Sequence, residues 1–253
     1  MIQITSASNE KFKYFRSLLS KKGRDESGRY IVEGIKSVND ALNSSCIIEA
    51  VILRDDMAWD KENTDFPVYC ISSALAEKLS DTKTTQGIFA VIKKQSAADE
   101  LKSDGAYVYC DRISDPGNLG TIIRTADSAG FDGVILSPGC VELYNPKTIR
   151  SCMGSFFHID VMENKASDTI SAFVENGAKA YGGILSGNTK DYRTADYLGG
   201  IIIVVGNEAN GISDEIQKLC QPVKIPIYGK AESLNAAVAA AIMMYEASNN
   251  RNK

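Results

Sequence analysis

The chain has little of what several common chemistries need. Its one histidine, His158, lies in the apolar segment Phe156-Phe157-His158-Ile159, with no second histidine and no clustered acid beside it. A histidine-based metal centre is therefore unsupported, no metal is expected, and a core or edge position is the expectation for His158. Six cysteines (Cys46, Cys70, Cys110, Cys140, Cys152 and Cys220) are scattered without a close pair. That spacing spells neither a zinc knuckle nor a Cys-x-x-Cys redox site, so buried free thiols are expected. Neither a GxGxxG spacing nor a P-loop Lys-Ser/Thr occurs, which leaves a dinucleotide or triphosphate site poorly supported. No uncharged apolar run reaches membrane-spanning length, and the opening Met-Ile-Gln-Ile-Thr-Ser has no basic region with an apolar one behind it. A cytoplasmic protein is the expectation. Basic residues are not in surplus: the formal charge of -4 argues against a surface coated in Lys and Arg, while leaving room for a local basic patch. Internal repeats and low-complexity tracts are absent as well.

What is present is ample for a folded core. At 253 residues with 44% hydrophobic side chains, the chain suits two domains. Its first residues differ in kind from the rest: Lys11, Lys13, Arg16, Lys21, Lys22, Arg24 and Arg29 stand among Asn9, Phe12, Tyr14 and Phe15. Positive charge interleaved with aromatics is what phosphate contact and base stacking use. A solvated amphipathic helix with Phe12, Phe15, Leu18 and Leu19 on its buried face accounts for the same residues, and the two readings are compatible. Strands are then expected at 29–34, 47–53, 67–70 and 87–92, with helices at 35–42 and 73–79. This pattern predicts a small α/β domain over 1–95, followed by a polar linker over 96–104. From 105 to 253 the alternation strengthens. Strands are expected at 106–110, 133–136, 157–161, 178–184 and 201–205, and helices at 119–129, 146–153, 166–176, 214–219 and 234–247. The run Ile201-Ile202-Ile203-Val204-Val205 reads as a buried parallel strand, so this half is expected to be a doubly wound parallel sheet.

Three connections carry candidate chemistry. The first, Asp111 to Ala126, leaves the carboxyl end of a strand and enters a helix with Asn118 at or near its cap, placing Arg124 on that helix. Loops at this end of an open parallel sheet bind ligands, and an arginine fork suits a phosphate or an ionised hydroxyl; a surface arginine paired with an acid is the plainer alternative. The second runs from Val205 to Ser213. Gly206 and Gly211 let backbone approach a ligand, and Glu208 offers a carboxylate to orient a donor or take up a proton, or merely to cap the next helix. The third is Pro222 to Glu246. Pro222 and Pro226 leave few donors for sheet pairing, Gly229 permits a positive φ, and Ser233 is a good N-cap for the apolar helix that follows.

Taken together, these loops resemble the three motifs of the SpoU (TrmH) family of RNA ribose 2′-O-methyltransferases, in the SPOUT class. The matching residues are Asn118 and Arg124; Gly206-Asn207-Glu208 with Gly211; and Ile225-Pro226 with Ser233-Leu234-Asn235. Arg150 to Ser155 looks like the family's intervening small-residue stretch. The resemblance is strong over 105–246 and weaker over 1–95, which is similar to the family's substrate-binding domain and so to an RNA-binding ribosomal-protein fold. It implies a deep trefoil knot in the C-terminal half and a pocket for S-adenosylmethionine formed by Gly206, Ile225 and Leu234, with Asn207 and Gly211 beside them. It also implies a homodimer through the last helix. The implied reaction is metal-free methyl transfer to a ribose 2′-hydroxyl. Arg124 is expected to hold the hydroxyl or the adjacent phosphate and stabilise negative charge, with Asn118, Glu208, Ser233 and Asn235 completing the site. Structured RNA is the implied partner, ribosomal RNA first and transfer RNA as the alternative. A catalytically silent RNA-binding protein is a further alternative.

Overall fold

A computed structural model describes residues 1–59, 64–95, 100–184 and 189–251. In chain order its first elements are β1 (Ile2–Ile4), α1 (Glu10–Ser17), α2 (Lys21–Ser27), β2 (Arg29–Glu33), α3 (Ile35–Leu42), β3 (Ile48–Arg54), β4 (Val68–Ile71), α4 (Ser73–Leu79) and β5 (Ile88–Lys93). There follow β6 (Ala106–Asp111), α5 (Pro116–Ser128), β7 (Gly133–Leu136), α6 (Pro146–Cys152), β8 (Asp160–Met162), α7 (Ser167–Glu175), β9 (Lys179–Gly183) and β10 (Lys190–Asp191). The last four are β11 (Ile201–Gly206), α8 (Asp214–Gln217), β12 (Gln221–Lys224) and α9 (Ala236–Arg251). They fall into two compact units, Met1–Gln95 with Tyr144–Phe157, and Ser96–Leu143 with His158–Lys253. The first four positions of the linker expected at 96–104 lie outside the described residues.

In the first unit the strand order is β1-β4-β3-β5-β2. β1, β4 and β3 are mutually parallel, and β5 runs antiparallel to both β3 and β2. Asn9 caps α1 by accepting from Lys11 and Phe12 N–H at 2.9 and 3.3 Å. The cap starts a helix whose inner face delivers Phe12, Phe15 and Leu18, all fully buried, against Ile52, Tyr69, Ile71 and Phe89. Burying each such side chain contributes about 1.5–3 kcal/mol. The segment 144–157 supplies aromatics to this unit: Tyr144 and Phe156 lie 4.8 and 5.7 Å from the Tyr30 ring. Their use here explains why the strand expected at 157–161 begins at Asp160, since Ser155–Phe157 forms a tight 3-10 turn instead.

The seven cations expected to form a basic patch are mostly neutralised. Arg24 is buried and donates from Nη1 to the Leu18 carbonyl at 2.8 Å. Lys13 pairs with Glu10, Lys21 with Asp25, Lys22 with Glu26 and Arg29 with Glu49. Lys11 and Arg16 remain exposed without an ion pair among the described residues, with the Lys11 ammonium 5.2 Å over the Tyr14 ring.

The second unit is a parallel sheet in the order β10-β12-β9-β11-β6-β7-β8, with β11 and β6 at its centre. Their side chains are almost wholly apolar and buried, as strands covered on both faces must be. The expected strands and helices recur with ends shifted by a few residues, and β10 and β12 are additions. β12 corrects the reading of Pro222 as a bar to pairing, because Gln221–Lys224 pairs with both β9 and β10. Val223 accepts from Ile184 N–H at 3.1 Å and so faces β9. Pro222 therefore faces the other flank, where β10 reaches only Val223 and Lys224 and no ladder bond is lost. His158 is exposed, with Nδ1 3.5 Å from an Asp127 carboxylate oxygen, rather than part of the core.

Candidate active site

In the central pair Asp111 of β6 stands opposite Gly206 of β11. The first two motif loops therefore start as neighbours. The Asp111 carboxylate is buried and binds across both: it accepts from Ser213 N–H at 2.6 Å and from Arg112 Nε at 3.2 Å. Arg112 takes a left-handed φ of 55°, a conformation that costs a non-glycine residue about 1–2 kcal/mol. It is held there by its N–H donating to Ser137 Oγ at 2.9 Å and its carbonyl accepting from Asn207 Nδ2 at 2.7 Å.

The second loop is folded tightly on itself. Asn207 and Gly211 exchange both backbone hydrogen bonds, at 3.0 and 2.8 Å. Asn207 Oδ1 accepts from Ala209 and Asn210 N–H at 2.9 and 3.2 Å. Gly211 has φ +66, and a Cβ on Gly206 would collide with the Gly211 carbonyl carbon and the Ile212 nitrogen. Both glycines are thus required by the chain's own turn. The same turn lifts Glu208 outward.

The α5 helix begins earlier than expected. Asp115 is its N-cap, accepting from Asn118 N–H at 2.8 Å, and Pro116 occupies the first turn, where a missing N–H is harmless. Asn118 is therefore a helical residue with a free side chain rather than the cap. Its Nδ2 donates to Glu208 Oε1 at 2.7 Å, while Glu208 Oε2 accepts from Ser114 Oγ and N–H at 3.0 and 3.3 Å. Partial burial opposes ionisation of Glu208, but the hydrogen bonds from Asn118, its own loop backbone and Ser114 outweigh that and hold its carboxyl below the usual range.

Asn235, and not Ser233, caps α9: its Oδ1 accepts from Ala237 and Val238 N–H at 2.9 and 3.3 Å. Its Nδ2 is left to donate to Asn118 Oδ1 at 3.0 Å. Each amide orientation is thereby fixed by its neighbour. The helix amides claim Asn235 Oδ1, Asn235 Nδ2 claims Asn118 Oδ1, and the Asn118 Nδ2 that remains meets the one group here able only to accept. Three loops distant in sequence close on one another through Asn118.

Other expected residues stay outside this network. Arg124 is exposed on α5, and among the described residues its guanidinium has no hydrogen bond or ion pair. Ser233 is exposed and makes no hydrogen bond among the described residues. Ile225 is half-buried and Leu234 is 37% exposed on the irregular stretch 225–235. Gly229 there has no positive φ and no neighbour within 4 Å of a Cβ, so glycine is not required of it. No backbone N–H from Ile225 to Asn235 finds an acceptor among the described residues. Amides without a partner among the described residues, beside apolar side chains, are the kind of lining that small-molecule pockets carry. Asp111, Ser114 and Asp115 are site residues that motif reading passed over; only Asp115, before a proline, carries a helix-start signal.

Residues 105–245 match the SpoU rRNA Methylase family. The chain belongs to the SpoU rRNA methylase family. Residues 9–90 match the MRM3-like substrate binding domain. The chain is 36% identical over 247 residues to the 23S rRNA (guanosine(2553)-2′-O)-methyltransferase RlmP of Bacillus subtilis, which covers 97% of this chain and 98% of that relative. The crystal structure of the AdoMet-bound rRNA methyltransferase from Sinorhizobium meliloti is similar with a TM-score of 0.86 and 30% identity, over 98% of this chain and 97% of that one. The A. aeolicus TrmH/SpoU tRNA modifying enzyme is similar over 59% of this chain and 76% of its own, with a TM-score of 0.51 and 26% identity.

Proposed function

We propose that this SpoU-family protein transfers the methyl group of S-adenosylmethionine to a ribose 2′-hydroxyl of structured RNA, and that the RNA is ribosomal. The observation that carries the reading is the junction of Asn118, Glu208 and Asn235, which joins all three motif loops at the carboxyl end of the sheet. Whole-chain likeness to ribosomal RNA enzymes, against the partial likeness to a transfer RNA enzyme, favours ribosomal RNA. A silent RNA-binding protein is disfavoured because every motif residue is present.

The cofactor supplies an electrophilic methyl group on a sulfonium. Gly206, Ile225 and Leu234 would hold it, with Asn207 and Gly211 shaping the adjoining turn. Arg124, without a hydrogen bond or ion pair among the described residues, would bind the hydroxyl or its adjacent phosphate and offset negative charge as the proton leaves to water. Glu208, already saturated with donors and held ionised, orients Asn118 rather than accepting a proton. Ser233, exposed beside Asn235, is the remaining polar group for the substrate.

The finer architecture belongs to the same reading. Insertion of β12, the last strand, between β9 and β10 supports a threaded trefoil knot in the second unit. Val238 and Tyr245, 48% and 49% exposed, with half-buried Ala241 and Ile242 between them, form an apolar stripe on α9. That stripe supports a homodimer through this helix. The first unit acts as an RNA-binding domain of ribosomal-protein type, and the six free thiols suit the cytoplasm. Mapping ribose methylation in RNA from cells lacking the protein tests the proposal. Loss of one ribosomal 2′-O-methyl group is expected; unchanged ribosomal RNA with a loss in transfer RNA would move it to the alternative substrate.

A further inference from the structure

Tyr228 is the most exposed of the large apolar side chains among the described residues, at 89%. It lies in the stretch between Ile225 and Ser233, so its backbone is tied to both ends of the candidate pocket. A ring presented to water at this point has no packing role to explain it.

The surroundings have one chemical character. The Arg193 guanidinium lies 5.8 Å over the Tyr192 ring and binds Asp191 through Nε and Nη2 at 2.9 and 2.7 Å. Arg193 is held above the usual guanidinium range first by those hydrogen bonds and by attraction to the same carboxylate, with smaller contributions from Tyr228 and Tyr192. Asp191 and Lys224 pair in parallel register, so Tyr192 and Arg193 leave one strand where the 225–235 stretch, with Tyr228, leaves its neighbour. Lys224, paired with Asp191 in strand register, and Lys230, two residues past Tyr228, are exposed and form no hydrogen bond or ion pair among the described residues. Asp191 is occupied by Arg193, which leaves Glu232 as the opposing charge on the 225–235 stretch. An exposed ring, a planar cation over a second ring at the same sheet edge and two lysines without an ion pair among the described residues suit unstacked nucleotides: rings accept base faces and ammonium groups bind phosphates.

We infer that Tyr228 is a stacking platform for an unpaired RNA base beside the methylated ribose, with Lys224 and Lys230 contacting the flanking phosphates. The inference rests on the proposed reaction for its placement next to the reacting ribose. It gives the second unit an RNA contact of its own, separate from the first unit.

The test measures RNA binding apart from catalysis. Full-length protein is titrated against an unmodified in vitro transcript of large-subunit ribosomal RNA without cofactor, and S-adenosylmethionine affinity is measured separately by calorimetry. Tyr228→Ala should weaken RNA binding roughly ten-fold, while Tyr228→Phe, which keeps the ring, stays near the parent. Lys224→Ala with Lys230→Ala should flatten the salt dependence of binding by about one to two in log–log slope. Cofactor affinity and oligomeric mass should be unchanged in all three. Parent-like RNA binding by Tyr228→Ala overturns the inference. So does a loss confined to cofactor affinity, which would make Tyr228 part of the cofactor pocket, or a change in oligomeric mass, which would make this surface a contact between copies. A protein that binds RNA through Tyr228 yet transfers no methyl group upholds this contact and overturns the reaction instead.

Discussion

Asn118 donates from Nδ2 to Glu208 Oε1 at 2.7 Å and accepts on Oδ1 from Asn235 Nδ2 at 3.0 Å. One amide thus reads two partners at once, and it can do so in one orientation only. Reversing it would set Oδ1 against a carboxylate and Nδ2 against an amide donor. The polarity of the site therefore depends on Glu208 remaining an acceptor.

Glu208→Gln removes that condition. The replacement amide can still accept from Asn118 or from Ser114, but not from both without turning an N–H toward one of them. A hydrogen bond to a charged group is worth about 1.5–3 kcal/mol, so single-turnover methyl transfer should fall on the order of 10- to 100-fold. Calorimetric affinity for S-adenosylmethionine should change far less.

The pH dependence follows from the same carboxylate. Its folded pKa is depressed below the ordinary value of 4.5, so the stability it contributes is present above that value and is lost as pH falls through the folded pKa. Denaturant titrations should show the parent more stable than Glu208→Gln at neutral pH, with the gap closing below about pH 4.5. A gap that widened in acid would contradict the assignment.

Asn235 has two separable duties, and two substitutions divide them. Asn235→Ala loses the helix cap, costing about 1 kcal/mol of stability, and loses the bond to Asn118 as well. Asn235→Asp keeps a good cap but brings a carboxylate to Asn118 Oδ1, which forces the Asn118 amide to turn away from Glu208. The aspartate variant should melt near the parent temperature and still lose most of its turnover.

Arg124→Lys should abolish most activity, because an ammonium cannot reproduce the planar fork. Since the guanidinium is exposed and, among the described residues, unpaired, the substitution should change stability by no more than about 0.5 kcal/mol. Near-normal turnover would remove Arg124 from the reaction.

Gly206→Ala should be severe for a different reason. Its Cβ meets backbone rather than a flexible side-chain end, so the 207–211 turn has to shift. A loss of about 1–3 kcal/mol in stability is expected, with weakened cofactor binding measured by calorimetry.

Much of this is legible in the sequence alone. Helices Ile35–Leu42 and Ser73–Leu79 and strand Gly133–Leu136 stand where periodicity places them, because each carries its own signal: an apolar stripe, a serine start, or a short apolar run. The first two motif loops were legible too, as strand–loop–helix connections at the carboxyl edge, and the third as a proline-bearing stretch before an apolar helix. What escaped depends on partners that sequence order does not reveal. Ile2–Ile4 is a strand only because β4 offers it an edge. Gln221–Lys224 tolerates Pro222 only because β10 stops short of it. Arg24 reads as surface charge until the Leu18 carbonyl is seen to claim it. Ser233 and Asn235 are both reasonable caps, and the choice between them is made by where the helix starts. The aromatics of 144–157 read as part of the C-terminal half, yet they pack with Tyr30 in the first unit.

The most direct measurement is transfer of tritium from methyl-labelled S-adenosylmethionine to an unmodified large-subunit ribosomal RNA transcript, with the RNA then digested to nucleosides and the label located. The expected result is label in a single 2′-O-methylribose, lost with Arg124→Lys and sharply reduced with Glu208→Gln. Label on a base, or no label from protein that binds the cofactor and the RNA, would contradict the assignment of this site to ribose methylation.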